Sequence, residues 1–214
     1  MLSFSLMISF SYNTEEIKLF KRLNSPQKIQ NYLNFLPFNF EKRGETCMSP
    51  REVVRKKTAH CMEGAMLAAA ILEFHGNKPL VLDLRSGKNL KDFDHIVTVF
   101  KKFGCFGAIS KTNHGVLRYR EPIYKTLREL VLSYFHEYFL DTGVKTLREY
   151  SLPVNLSRFN KLSWRTSPKN LFKIPQYIDK VRHYPILSKN QIKNLRKADK
   201  IEIEVGKLTE YPRK

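Results

Sequence analysis

A cysteine and a histidine stand where a nucleophile and its base could form. Cys61 opens an alanine-rich apolar run that extends to Leu72, and such a run predicts a short buried helix. At a helix start, unpaired N–H groups and the positive end of the helix dipole favour thiolate over thiol. Thirty-four residues later, His95 opens a strand-like segment that ends at Phe100. The two residues therefore predict a cysteine nucleophile with a histidine base.

The segments around this pair predict an α+β fold. A helix is expected over residues 61–74, and strands are expected over 79–84, 95–100 and 105–110. The short turns between the strands favour antiparallel pairing. A helix followed by an antiparallel sheet predicts a layer of helix packed on a layer of sheet.

The rest of the chain predicts further helices and an irregular tail. An apolar stripe at helical spacing predicts a long helix over 123–139. Beyond Tyr150 the pattern is interrupted by Pro153, Pro168, Pro175 and Pro185. We therefore expect an irregular segment that ends in a helix near 189–197 and a short strand at 201–205.

Charge is concentrated towards the C-terminus. The net charge is +18, and residues 151–214 carry 15 Lys and Arg against 5 Asp and Glu. We expect a single domain over 1–214, with a core over 20–150 and the basic segment 151–214 packed on it as an extension. The positive electrostatic field of residues 151–214 attracts nucleic acid, anionic lipid or acidic protein. A solvated basic surface is the simpler interpretation of this charge.

Cysteine usage and the N-terminal segment indicate where the protein works. The three cysteines are odd in number and lack CxxC spacing, which argues against a disulfide framework or a zinc site. Residues 1–10 are apolar but have no basic stretch and no cleavage site, and they are too few to span a bilayer. We therefore expect an ordinary N-terminal segment, no membrane span and a cytoplasmic protein.

The order of these elements resembles the transglutaminase-like superfamily, the papain-like group of cysteine hydrolases that includes transglutaminases, peptide N-glycanases and arylamine acetyltransferases. Two features carry the resemblance, a buried helix that opens on Cys61 and a following strand that opens on His95. Six segments are also similar to an uncharacterised bacterial branch of that superfamily: 61–65, 94–97, 106–111, 117–124, 133–135 and 146–150. The resemblance implies a compact α+β core, with the Cys61 helix on a small antiparallel sheet.

The residue that orients the histidine departs from the family pattern. The resemblance implies an Asp about one hairpin after the histidine, but Ser110 ends the third strand and Asn113 follows it. We expect Asn113 to be the orienting residue, because Asn holds the imidazole in Cys-His-Asn sites, and Ser110 is the second choice. Asp94 is a poor candidate because neighbouring residues of a strand face opposite sides.

The resemblance implies acyl transfer. Cys61 would attack the carbonyl of a peptide, protein or other amide, or of an ester, and form a thioacyl-enzyme that water or an amine resolves. A peptidase is one form of this activity, and the Cys61 N–H is the natural oxyanion donor. No cofactor and no metal are expected, because His60, Cys61 and Glu63 lie too close in sequence at a helix start to converge on one ion.

A second function is a binding module of the same fold whose catalysis has decayed. It would bind nucleic acid or another anionic partner through the basic C-terminal third. Basic side chains beside aromatic ones would form its surface, namely Arg118, Arg120, Lys125 and Arg128 with Tyr119, Tyr124 and Trp164.

Overall fold

The computed structural model describes residues 12–211, so the N-terminal segment 1–10 interpreted above lies outside the described residues. Within this range the chain alternates short helices with antiparallel strands. The α-helices are α1 (Thr14–Arg22), α2 (Pro26–Phe35), α3 (Pro50–Lys56), α4 (Cys61–Phe74), α5 (Leu127–Phe135), α6 (Lys173–Ile178), α7 (Lys189–Lys193) and α8 (Lys200–Lys207), and a 3-10 helix covers Leu156–Leu162. The strands are β1 (Leu80–Ser86), β2 (His95–Lys102), β3 (Cys105–Ser110), β4 (Arg120–Tyr124), β5 (Leu147–Ser151), β6 (Val154–Asn155) and β7 (His183–Pro185).

The strands form one antiparallel sheet in the order β4-β3-β2-β1-β5-β7, with β6 also paired to β1. The β2–β3 hairpin turns through Phe103 and Gly104, which both have positive φ. Its register places Val97 opposite Ser110. His95, two residues before Val97, is therefore a diagonal neighbour of Ser110 across the two strands. This register brings the start of β2 to the end of β3.

Helix α4 is the centre of the fold. Every residue from Met62 to Glu73 is buried, as its small and apolar side chains predict. One side packs against α1 to α3 through residues that include Leu67 and Ile71. The sheet meets it where the Thr98 hydroxyl donates to the Ala65 carbonyl oxygen at 2.6 Å. Helix α5 packs against the opposite face of the sheet, so the α+β class predicted from the sequence is confirmed.

The basic C-terminal segment contributes to the core. Trp164, Leu171, Ile174 and Ile178 are buried against the α4 side of the sheet. Trp164 is fully buried, so the segment packs on the core through an apolar seam, and Arg165 adds an ion pair with Glu73.

Two predicted elements differ from the structure, one in where it begins and one in its type. Part of the helix expected over 123–139 is strand β4, and the helix begins only after Thr126, whose hydroxyl accepts from the Glu129 N–H. The strand expected at 201–205 is helix α8. Its Ile-Glu alternation resembles a strand, but Asp199 and Glu202 form a capping box that starts a helix. In both cases the capping residues determine where the helix begins, and the spacing of the apolar residues does not.

Among residues 12–211, no helix is long and apolar enough to cross a membrane.

Candidate active site

Cys61 is the first residue of α4 and is partly exposed, whereas the residues that follow it are buried. The helix start lies against the end of β3. A methyl group added at Gly64 would lie 2.4 Å from the Lys111 Cβ, so only glycine allows the two segments to approach this closely. As the first helical residue, Cys61 has an N–H with no partner inside the helix.

The Cys61 thiol is strongly acidified. Burial raises the pKa of this thiol, but hydrogen bonds with the rings of His60 and His95, and electrostatic attraction from both, outweigh that effect and lower the pKa to about 5. A thiol with this pKa is a thiolate at neutral pH, which is the nucleophilic form. By contrast, burial raises the pKa of Cys47 to about 12, which leaves that thiol inert.

His95 is held by Ser110. The His95 Nε2 atom lies 2.8 Å from the Ser110 Oγ, and the Ser110 hydroxyl donates to the Leu117 carbonyl oxygen at 2.6 Å. A serine hydroxyl has one hydrogen, so it accepts from His95, and Nε2 must carry a proton. The other ring nitrogen, Nδ1, is left to exchange a proton with Cys61.

Ser110 is itself clamped by the side chain of Gln30. The Gln30 Oε1 accepts from the Ser110 N–H at 2.9 Å, and its Nε2 donates to the Ser110 carbonyl oxygen at 2.8 Å. Both backbone groups of Ser110 are satisfied by one buried amide, which extends the strand pairing past the end of β3. Helix α2, which carries Gln30, therefore sets the position of Ser110 and, through it, of His95.

Asn113, the first choice from the sequence, has another role. Its Nδ2 donates to the Tyr211 carbonyl oxygen and its Oδ1 accepts from the Tyr211 N–H, both at 2.9 Å. The amide is thus used to tie the C-terminal segment to the loop after β3. Asp94 also faces away from the ring, since its Oδ1 accepts from the Ser86 N–H at 2.8 Å. Ser110 is therefore the residue that holds His95, and the order of preference is corrected.

His60 also hydrogen-bonds with the Cys61 thiol and was not predicted as a site residue. It is the N-cap of α4, and its Nε2 lies 3.1 Å from the Thr46 carbonyl oxygen. The same atom is 3.4 Å from the Glu63 Oε1 and 3.7 Å from the Glu41 Oε1. Cys61 thus lies between two imidazole rings whose surroundings differ.

Glu63 builds the loop that carries this second ring. Its fully buried carboxylate accepts from Thr46 Oγ1 and Met48 N at 2.7 and 2.9 Å. It also accepts from Asn39 Nδ2 and His60 N at 3.0 and 3.1 Å. The bond to His60 is the capping interaction expected of an acidic residue at the third helical position. The carboxylate therefore joins loop 39–48 to the start of α4.

Two residues of the site, His60 and Gln30, were not predicted from the sequence, and only His60 has a recognisable sequence signal. Histidine is an unusual N-cap, because Ser, Thr, Asp and Asn are preferred there, and a capping side chain turns back towards the first helical turn. This placed His60 next to the Cys61 side chain. Gln30 offered no comparable signal, since its contact spans 80 positions of the chain.

Three acidic residues form a separate group near this site. Carboxylate oxygens of Asp83, Asp94 and Asp179 lie within 4.8 Å of one another. The Arg85 guanidinium lies between two of them, 3.7 Å from Asp83 Oδ2 and 3.6 Å from Asp94 Oδ2. Because Arg85 lies between two of the carboxylates and the His183 Nε2 lies 3.0 Å from Asp83 Oδ2, we assign no metal to the group.

Three of the residues suggested for nucleic-acid binding make contacts within the protein. Trp164 is fully buried, so its ring cannot stack on a base. Arg120 pairs with Glu137 at 2.6 Å and stacks on Tyr134. Arg118 pairs with Glu210 at 3.1 Å. Lys125 and Arg128 lie on the exposed surface.

Comparisons with known proteins add no assignment to this geometry. No model of a known protein family matches the chain, and no curated protein matches its sequence.

Proposed function

We propose that the protein is a cysteine hydrolase or acyltransferase with a transglutaminase-like core, acting on an amide or ester through a thioacyl-enzyme. The observation that carries the proposal is the Cys61 thiol at the start of a buried helix, beside His95, with its pKa lowered to about 5. A nucleophile next to an oriented base is the arrangement that covalent acyl transfer requires.

The first half of the reaction forms the thioester. The Cys61 sulfur attacks the carbonyl carbon with its electron pair, and the carbonyl oxygen takes the negative charge. The N–H of Cys61 donates to that oxygen at the positive end of α4. When the intermediate collapses, the bond from carbon to the leaving nitrogen or oxygen breaks, and His95 delivers a proton to the leaving group from Nδ1.

The second half releases the acyl group. His95 Nδ1 takes a proton from water or an amine, which attacks the thioester carbonyl, and the carbon–sulfur bond breaks to regenerate the thiolate. Throughout, Nε2 keeps its proton and its bond to Ser110. Ser110 suits both states of the ring because it accepts the same N–H in each.

A chromogenic aryl ester of a small carboxylic acid tests this proposal. We expect one equivalent of phenol to be released in a rapid burst, with the acyl group found by peptide mass spectrometry on Cys61. Cys61→Ala and His95→Ala should each abolish the burst, whereas Cys105→Ser, which changes another partly exposed cysteine, should retain it. Acyl transfer to another residue, or a burst unaffected by loss of His95, would overturn the proposal.

A further inference from the structure

The two histidines beside Cys61 lie in different electrostatic surroundings. The polar atoms near the His60 Nε2 are acceptors: the Thr46 carbonyl oxygen at 3.1 Å and the carboxylates of Glu63 and Glu41 at 3.4 and 3.7 Å. A carbonyl oxygen can only accept, so the His60 Nε2 carries a proton. Two carboxylates this close to the ring favour its doubly protonated, positively charged form.

The surroundings of His95 are neutral by comparison. Its Nε2 meets the Ser110 hydroxyl, which passes its hydrogen to the Leu117 carbonyl oxygen. Among the ion pairs of residues 12–211, none involves His95, whereas His60 has two. The Ser110 hydroxyl accepts from Nε2, so this bond can persist while Nδ1 gains and loses a proton in each cycle.

The end of β3 is also built for a hydroxyl and not for a carboxylate. A carboxylate in place of Ser110 would face the Leu117 carbonyl oxygen, 2.6 Å from the present Oγ, and two acceptors repel each other at that distance. The negative charge of the Asp that the transglutaminase-like resemblance implies is therefore missing behind His95. Two carboxylates, Glu63 and Glu41, lie behind His60 instead.

We propose that His60 is a second catalytic histidine, the permanent imidazolium that holds Cys61 as a thiolate, while His95 alone carries protons to and from the reacting groups. This division of roles rests on the proposed function, because it assigns a task at the same thiol. It predicts that His60 supports the thiolate by its charge, in addition to His95, but takes no part in proton transfer.

The acidity of the two groups agrees with this division. Burial lowers the pKa of His60, but the hydrogen bond and charge of Cys61, then Glu63 and the Thr46 carbonyl, raise the pKa to about 9. The pKa of Cys61 is about 5. Between these two values the sulfur is a thiolate and the His60 ring is an imidazolium. Their attraction is reciprocal, so removing either charge must return the pKa of the other towards its ordinary value.

The test measures the rate of Cys61 alkylation by iodoacetamide against pH, resolved by peptide mass spectrometry. In His60→Gln, the amide can still donate to the Thr46 carbonyl, but the positive charge is gone. We expect the midpoint of the profile to rise by about one to three pH units from its wild-type value near pH 5. His75→Gln is the matched control. His75 caps the other end of α4, and its Nε2 lies 2.8 Å from the Phe20 carbonyl oxygen, so this change should leave the midpoint in place.

A second measurement needs no substitution at His60. The His60 ring is titrated by NMR in the wild type and in Cys61→Ala, where the pKa of His60 should fall from about 9 by at least one pH unit. If His60→Gln folds poorly by circular dichroism, this titration decides the question.

The outcomes separate this inference from the proposed function. A wild-type midpoint near 9, the ordinary value for a thiol, would overturn both. A wild-type midpoint near 5 that His60→Gln leaves unchanged, or a His60 titration that Cys61→Ala leaves unchanged, would overturn the role of His60 alone.

Discussion

His95 and Ser110 are joined by a hydrogen bond of 2.8 Å between Nε2 and Oγ, and the hydroxyl continues to the Leu117 carbonyl oxygen. The direction of this chain determines which ring nitrogen is protonated. It leaves Nδ1 for proton transfer, and it connects the reactivity of Cys61 to a residue on a different strand.

Removing the Ser110 hydroxyl should impair acyl transfer. In Ser110→Ala, the His95 Nε2–H loses its hydrogen-bond partner. Loss of this bond should remove about 1 kcal/mol of stabilisation from the oriented ring, which corresponds to a roughly five- to tenfold slower acylation by the aryl ester. Asn113→Ala is the control. It removes two bonds to Tyr211 but should acylate at nearly the wild-type rate. A normal rate in Ser110→Ala with a slow one in Asn113→Ala would show that Asn113 orients His95 after all.

The pH dependence of Cys61 reactivity should be acid-shifted. Because the pKa of Cys61 is lowered to about 5, the thiolate fraction rises as pH increases through 5 and is nearly complete at pH 7. Alkylation should therefore be almost independent of pH between 6.5 and 8. In urea-unfolded protein the midpoint should return to about 9. Cys47, whose pKa burial raises to about 12, is the internal control and should stay unmodified in the native protein.

Replacing the Glu63 carboxylate should destabilise the whole site. Glu63→Gln keeps the shape of the side chain, but its NH2 group cannot accept from the donors that now bind one carboxylate oxygen. We expect a loss of about 3 kcal/mol in the free energy of unfolding, measured in urea, since hydrogen bonds to a buried charge are among the stronger ones. Glu41→Gln is the control, because Glu41 is partly exposed and accepts mainly from the Thr46 N–H at 2.7 Å. Equal losses in the two variants would contradict this account.

Adding a methyl group at Gly64 should separate α4 from β3. In Gly64→Ala the new Cβ would meet the Lys111 Cβ at 2.4 Å. We expect a net loss of about 1–3 kcal/mol in urea unfolding from overpacking, although alanine is the better helix former. Gly115→Ala, where the nearest atoms are 3.6 Å away, tests the same change without a clash. A more stable Gly64→Ala would mean that the helix and strand can move apart at little cost.

Periodicity located the elements that carry the site but not every boundary. The start of α4 at Cys61 and the start of β2 at His95 agree with the structure, because both depend on contacts within a few residues. The apolar stripe near 123 did not reveal β4, whose existence depends on pairing with β3. Strand pairing is decided by distant neighbours, which a local period does not contain.

The sequence alone determined that a cysteine heads a buried helix and that a histidine opens a strand, since small apolar residues and capping chemistry act locally. Tertiary structure decided the partners of these two residues. The β2–β3 register and the Gln30 clamp placed Ser110 on His95, while Tyr211 took Asn113. The loop gathered by Glu63 placed His60 beside the thiol with two carboxylates behind it. Most of these partners are far apart in the sequence, and a loop sets the orientation of His60, so local patterns do not reveal the contacts. The direction of a hydrogen bond can be assigned only when the positions of its donors and acceptors are known.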